Sequence, residues 1–339
     1  MKSIIITRPG SLLLADEKIP APAAHEVRVK VKYAGVCGSD VHIYRGHNPF
    51  ASYPRVIGHE FFGIVDAVGE SVDTARIGQR VVIDPVISCG CCYPCRMGRP
   101  NVCLKLKVLG VHRDGGFSEY VCVPAANIHE VPSSIPDRHA ALIEPFSVAA
   151  NMTAQLQPAT NDSALIYGAG PMGLALVQVL KNVYQVGTVI VVDRIPSRLE
   201  MAIECGGDVI INNLQTSEAD YLQGIRCQPT LIIDAACHPA ILSQAITLAS
   251  PAGRIGIMGF SDAETVIRQK DITSKELSIF SSRLNSARFP QVIEWMAAGK
   301  LFPHILISHD MEMEQVEQAL TLFELNPDSC CKILLRFPD

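Results

Sequence analysis

One short glycine-rich run constrains this chain more than any other feature. Gly168-Ala169-Gly170-Pro171-Met172-Gly173 follows the apolar stretch Ala164-Leu165-Ile166-Tyr167 and opens a helix-forming stretch over about 171–184. A strand, a glycine turn and a helix in that order belong to a parallel α/β sheet. The first glycine permits the tight turn, the second lets the backbone approach a pyrophosphate, and the third lets helix and strand pack closely. The helix N-terminus adds N–H donors and partial positive charge. A second strand over 188–192 then ends at Asp193, at the spacing of a ribose-binding acid. Gly168, Gly170, Pro171, Met172, Gly173 and Asp193 are therefore read as a dinucleotide site. A carboxylate at 193 accepts from the ribose 2′-OH of NAD and repels the 2′-phosphate of NADP. Arg194 and Arg198 argue the other way, since either can cradle a phosphate. Asp193 holds the position closest to the ribose, so NAD is the expected cofactor.

The same cadence continues beyond Asp193. A helix over 199–205 and strands at Leu231-Ile232-Ile233-Asp234 and Arg254-Ile255-Gly256-Ile257-Met258-Gly259 extend the parallel sheet. The first ~145 residues read differently, as β-rich and loop-rich. Glu26-Val27-Arg28-Val29-Lys30-Val31-Lys32 alternates polar and apolar residues, the pattern of a half-buried strand. The change of character falls near Glu144. The strand-like Cys331-Lys332-Ile333-Leu334-Leu335-Arg336 closes the chain, and periodicity does not assign it to either part.

The chain has 339 residues, 48% hydrophobic and 19% charged, enough to bury a sizeable core and too many for one small module. Lys plus Arg total 29 against 34 for Asp plus Glu, a formal charge of −5, which argues against a general nucleic-acid binder. The apolar runs are strand-sized and the N-terminus lacks the pattern of a signal peptide. A cytoplasmic protein with no membrane association is expected.

Of 12 cysteines, five crowd between Cys89 and Cys103. Cys89, Cys92, Cys95 and Cys103 stand at short spacings in a loop broken by Gly90, Pro94, Gly98 and Pro100. In a reducing compartment such a cluster suits metal better than disulfides. Four thiolates close a tetrahedral zinc site, which is typically structural. Cys91 breaks the cadence and is read as a bystander. The neighbouring Arg96, Arg99, Lys105 and Lys107 make the loop mildly basic, but a single-strand-binding ribbon would also need aromatic platforms.

A second set of donors is more dispersed. Cys37 opens Cys37-Gly38-Ser39-Asp40-Val41-His42, then His59 and Glu60 follow Gly58, and Glu144 precedes Pro145. Three protein ligands with an open fourth position define a catalytic zinc. Spacing alone leaves this set open, because a lone histidine or cysteine usually has a packing role.

These motifs together resemble the zinc-dependent medium-chain alcohol and polyol dehydrogenases over essentially the whole chain. The resemblance rests on Gly58-His59-Glu60-x2-Gly63-x5-Gly69-x2-Val72, the four-Cys lobe, Gly78-Gln79-Arg80-Val81, Asp114-Gly115-Gly116-Phe117-Ser118-Glu119-Tyr120, and the glycine turn with Asp193. Gln79 departs from the family's usual Asp. The Cys-Gly-Ser-Asp-x-His run and the Glu144-Pro145 pair are similar to the sorbitol and threonine dehydrogenase branch. Tyr44-Arg45-Gly46-His47-Asn48-Pro49-Phe50, with 110–116, resembles the bacterial starvation-sensing dehydrogenases and L-galactonate oxidoreductases more closely.

The resemblance implies an α/β protein with a GroES-like β-barrel catalytic domain over 1–148, a Rossmann domain with a doubly wound parallel sheet over 149–286, and a segment 287–339 returning to the first domain. It implies two Zn2+ per subunit, one structural and one catalytic, NAD, and a homodimer or homotetramer. Cys37 and His59 become catalytic-zinc ligands, with Glu60 or Glu144 as the third; the sequence does not choose between them. Ser39 and His42 match the proton-relay positions, and Asp40 is expected to accept from the ring of His59. Zinc lowers the pKa of a bound alcohol, and the nicotinamide takes the hydride. The expected substrate is a polyol or sugar acid, an aldonate being favoured, with Arg45, His47, Arg113 and Arg283 as candidate partners. L-threonine dehydrogenase and a non-catalytic sensor on the same fold are the alternatives.

Overall fold

The computed structural model describes residues 1–338. The chain divides into two compact units: Met1–Glu144 with Phe289–Ala297 and Ile307–Asp339, and Pro145–Arg288 with Ala298–Leu306. The boundary falls near the start of the helix Ile143–Leu156. The segment 287–339, expected to return whole to the first domain, is divided, because residues 298–306 cluster with the second unit. Gln178 explains that detail: its side chain donates to Phe302 O at 3.1 Å and accepts from Phe302 N at 2.6 Å.

The first unit is built on the long strand Glu26–Val36, whose Val27, Val29 and Val31 are fully buried, as the sequence alternation requires. It pairs antiparallel with Glu60–Val68 on one side. On the other side Tyr120–Pro124 covers its first half and Lys332–Arg336 its last residues, Tyr33 to Val36. Arg80–Ile83 and Ile128–Glu130 extend one edge of this sheet, and Ile307–Glu312 the other. The C-terminal strand therefore lies beside the residues leading into Cys37. A separate ribbon, Val86–Ile87 with Lys107–Val108, carries the cysteine loop between its strands.

The second unit holds six parallel strands in the order Val209–Asn212, Thr188–Asp193, Ser163–Tyr167, Leu231–Asp234, Arg254–Ile257, Ser278–Ser281. This is the doubly wound order, with its reversal beside Ser163–Tyr167. Leu165, Ile190, Ile232 and Ile255 form part of its dry core. Among the described residues no helix is long and apolar enough to cross a membrane.

The glycine turn follows Ser163–Tyr167 directly. Gly168 has φ +96°, a left-handed conformation that disfavours any side chain. At Gly173 a Cβ would sit 1.8 Å from Gly168 O, so helix and strand meet with no room for a methyl group. Gly173→Ala should therefore destabilise the protein by about 3 kcal/mol or more, as overpacking against rigid backbone does. Thermal and urea unfolding measure this, and a loss indistinguishable from zero would contradict the packing described.

Candidate active site

Cys37 lies where Glu26–Val36 ends and the helix Gly38–Arg45 begins, in an extended N-cap conformation. Asp40, in the first turn of that helix, is completely buried. Its Oδ2 accepts from Cys37 N at 2.9 Å and its Oδ1 from Gly58 N at 3.2 Å. One carboxylate thus ties together the two backbone segments that carry Cys37 and His59. The ring of His59 faces the expected partner, its Nδ1 3.6 Å from Asp40 Oδ1, an ion-pair distance slightly longer than a hydrogen bond. The ring nitrogen has no hydrogen-bond partner in its buried site. Burial opposes the imidazolium, but Asp40 and Cys37 outweigh it and raise the pKa of His59 well above its ordinary value.

Cys37 Sγ, a ring nitrogen of His59 and a carboxylate oxygen of Glu60 lie within 4.8 Å of one another. Sulfur, nitrogen and oxygen donors in that number suit a zinc ion with a fourth position open. Glu144 falls outside this three-residue set, although it senses the same charges. Burial, countered by His59 and reinforced by Glu60, pushes its carboxyl up to about 8.

Glu60 has a partner that the sequence reading did not single out. Lys332 is 1% exposed, and its Nζ donates to Glu60 Oε1 at 2.8 Å, to Oε2 at 2.7 Å and to Val36 O at 3.2 Å. Burial works against the ammonium, yet the Glu60 carboxylate more than offsets it and raises the lysine pKa. Removing one member of such a buried pair typically costs about 3–5 kcal/mol, because the other charge is left unmatched. A signal was present: Lys332 is the one charged residue in the run Cys330-Cys331-Lys332-Ile333-Leu334-Leu335.

The cysteine lobe gathers Cys89, Cys92, Cys95 and Cys103, with their sulfurs within 4.8 Å of one another. Three of the separations are 3.4 Å for Cys89–Cys103, 3.4 Å for Cys92–Cys95 and 3.7 Å for Cys92–Cys103. A tetrahedral zinc with ~2.3 Å bonds to sulfur needs them ~3.8 Å apart. The cluster is nearly at that spacing. Backbone N–H groups of Cys91 and Cys92 lower the Cys89 thiol to about 6, favouring the thiolate a metal requires. Cys91 is exposed and outside the set of four.

In the second unit a cavity of about 310 Å3 is lined by Gly168, Asp193, Arg194, Asn213, Ala236 and His238, among others. Asp193 Oδ2 accepts from Ala169 N at 2.7 Å, and Oδ1 from Arg194 N at 2.7 Å and Ile195 N at 2.9 Å. These donors fix the carboxylate at the mouth of the turn, and an ionised carboxylate has capacity for one further donor. A Cβ on Gly170 would meet only Arg198 Nη1, at 3.7 Å. The turn is therefore open where a pyrophosphate would approach, with a guanidinium over it.

The remaining predicted residues separate. Ser39 Oγ is 3.3 Å from His59 Nε2, and His42 stands exposed three residues further along the same helix. Arg45 is engaged by Glu324, with Nη2 2.5 Å from Oε2, and also stacks on Tyr44. Arg113 is engaged by Glu26 at 2.7 Å. Both guanidiniums were read as substrate partners from sequence; each is already paired with a carboxylate supplied by a distant segment. His47 is exposed near His42, their rings 6.3 Å apart. Arg283 lies over the ring of Phe260 at 5.6 Å.

Comparison with known proteins decides the family. The alcohol dehydrogenase GroES-like domain matches residues 23–133 and the zinc-binding dehydrogenase domain matches 171–298. The starvation-sensing protein RspB of Escherichia coli K12 is 58% identical over the full length of both chains. The chain belongs to the zinc-type medium-chain alcohol dehydrogenases. As a member of this family it is an oxidoreductase with a GroES-like domain and a Rossmann domain. The RspB alcohol dehydrogenase of E. coli CFT073, in complex with NADH, superposes with a TM-score of 0.97 at 58% identity, covering 99% of each chain. L-galactonate-5-dehydrogenase of E. coli K12 is 33% identical over 91% of each chain.

Two substitutions separate the sites of this dehydrogenase. Cys95→Ser should lower the zinc content from about two ions per subunit to about one. Elemental analysis of the purified variant reads this directly, and an unchanged content would remove Cys95 from the ligand set. Gly170→Ala should leave thermal stability near wild type, since its Cβ makes only an ordinary contact with Arg198 Nη1 at 3.7 Å, yet weaken NADH binding at least ~10-fold by crowding the pyrophosphate. NADH fluorescence titration decides it, and unaltered affinity would contradict the assigned cofactor position.

Proposed function

We propose that this chain is an NAD-linked zinc dehydrogenase that oxidises a secondary alcohol of a polyol, sugar alcohol or sugar acid, working as a homodimer or homotetramer. The observation that carries the reading is the intact donor set of Cys37, His59 and Glu60 around one point. A bound zinc supplies a Lewis acid that lowers the pKa of the alcohol, and the nicotinamide supplies the hydride acceptor. The chain's own residues do the rest. Asp40 holds the Cys37 and Gly58 backbones in place. The Ser39 hydroxyl, beside His59, receives the alcohol proton, and exposed His42 on the same helix face passes it to water. Asp193 accepts from the adenosine ribose, and Arg198 faces the pyrophosphate.

A sugar acid is favoured over a neutral polyol. The support is the resemblance of the runs Tyr44 to Phe50 and Gly110 to Gly116 to L-galactonate oxidoreductases. Arg283, which follows the edge strand Ser278–Ser281 and lies over Phe260, is the candidate for a substrate carboxylate. L-threonine is the alternative substrate, and L-threonine 3-dehydrogenase of Bacillus licheniformis is likewise 33% identical, over 98% of this chain.

Three measurements test this reading. A panel of aldonates, polyols and L-threonine with NAD, followed by absorbance of the reduced cofactor, should show turnover greatest with an aldonate. Arg283→Ala should then raise KM for the aldonate at least ~10-fold more than for its neutral polyol counterpart. Equal losses on both would remove the carboxylate contact. Asp193→Ala should weaken NAD and narrow its advantage over NADP. A wild type that already prefers NADP would overturn the role given to Asp193.

A further inference from the structure

The cysteine loop carries one sulfur more than a tetrahedral zinc can use. Cys91 Sγ donates to Cys89 Sγ across 3.6 Å, a separation within the range found among the four grouped sulfurs. Gly90 alone stands between the two residues, at φ +70° and with nothing within 4 Å of the place a Cβ would take. The turn Cys89-Gly90-Cys91 is therefore tight yet unpacked. Arg96 Nη1 donates to Cys91 O at 2.6 Å, which fixes the backbone of the fifth cysteine to the short helix Tyr93–Arg96. Cys91 is exposed, whereas Cys89, Cys92 and Cys95 are half-buried and Cys103 is buried. Neither packing nor a place among the four ligands accounts for a thiol held there.

We propose that Cys89 and Cys91 form an oxidative modification site, at which a hydroperoxide links the two sulfurs and releases the zinc of the cysteine loop. The proposal rests on the four-sulfur site and not on the donor set of Cys37, His59 and Glu60. Cys91 is the sulfur that solvent reaches, so it meets the oxidant first. It attacks one peroxide oxygen. An S–O bond forms, the O–O bond breaks, and the departing hydroxide takes the thiol proton and leaves as water. Cys89 then attacks the oxidised sulfur of Cys91: the S–S bond forms, the S–O bond breaks and hydroxide departs. One thiolate, one thiol and one hydrogen peroxide thus give a disulfide, one water and one hydroxide. The two sulfurs lose two electrons between them, and the peroxide gains both. The sulfurs must close from 3.6 Å to ~2.05 Å. Open space about Gly90 lets the turn adjust, and the Arg96 anchor keeps the partners adjacent. A sulfur in a disulfide is no longer a thiolate, so the zinc is left with Cys92, Cys95 and Cys103 and its closed site opens. The linked pair lies at the surface, where an added thiol reduces it and zinc can return.

The test exposes the fully zinc-loaded protein to hydrogen peroxide and follows released zinc with a coloured chelator. The phase that belongs to the cysteine loop is the one absent from Cys95→Ser. Wild type should lose that zinc as a disulfide joins Cys89 to Cys91, read by peptide mass mapping after free thiols are alkylated. Dithiothreitol with added zinc should restore the starting zinc content. Cys91→Ser should fold and load zinc as wild type does, because Cys91 is exposed and outside the set of four. Its loop phase should be at least ~10-fold slower, since the sulfurs that remain are held on the metal and shielded from the oxidant. A loop phase in Cys91→Ser as fast as in wild type, or a wild-type disulfide joining any other pair, would overturn the proposal while leaving the zinc site intact. A wild type with no zinc dependent on Cys95 would overturn the site itself.

Discussion

The candidate active site depends on one buried carboxylate and the two backbone N–H groups it accepts from. Asp40 reaches back to the amide of Cys37 and across to that of Gly58, so the sulfur and imidazole donors are set by a single side chain. Either donor alone would be an ordinary core residue. Their convergence follows from the abrupt change from strand to helix at Cys37, which aims Asp40 inward on the first helical turn. Gly58 completes the arrangement with φ +91° and Phe117 against its α-carbon, leaving no room for a side chain. Local backbone chemistry thus produces a metal geometry that no single motif encodes.

The two candidate metal centres in the first unit differ in how their donors are supplied. The four cysteines come from one loop, and their sulfurs already stand close to tetrahedral spacing. Such a set suits a closed site that stabilises its own loop. Cys37 and the adjacent pair His59 and Glu60 come from two separate segments, and Glu60 is shared with an ammonium. Three protein donors with a fourth position open suit a site that must take up a substrate. The chemistry is thereby assigned by donor supply as well as by donor type.

Much of this was legible in the sequence where the determinants are local. The glycine turn, the strand before it and Asp193 lie within a short stretch, and their roles follow from conformation and spacing. The cysteine loop is legible for the same reason. Contacts between distant segments were not. Lys332 reaches Glu60 across 272 positions, and only its isolation in an apolar strand hints at a buried partner. Arg45 and Arg113 looked like free cations until Glu324 and Glu26 were brought to them by the fold. Two strands of the parallel sheet also escaped the sequence reading, Val209–Asn212 and Ser278–Ser281. The latter is largely exposed at the sheet edge and lacks the apolar run by which buried parallel strands are recognised.

The central claim is that one unit holds two zinc ions in unlike surroundings, four sulfurs about one and a single sulfur with nitrogen and oxygen about the other. Zinc K-edge X-ray absorption on freshly purified protein tests it most directly, because it counts sulfur neighbours averaged over both ions. The account predicts an average of about two to three sulfurs per zinc, with a nitrogen–oxygen shell at ~2.0–2.1 Å alongside sulfur at ~2.3 Å. A spectrum fitted by sulfur alone, at about four per zinc, would contradict it and leave Cys37, His59 and Glu60 without a metal.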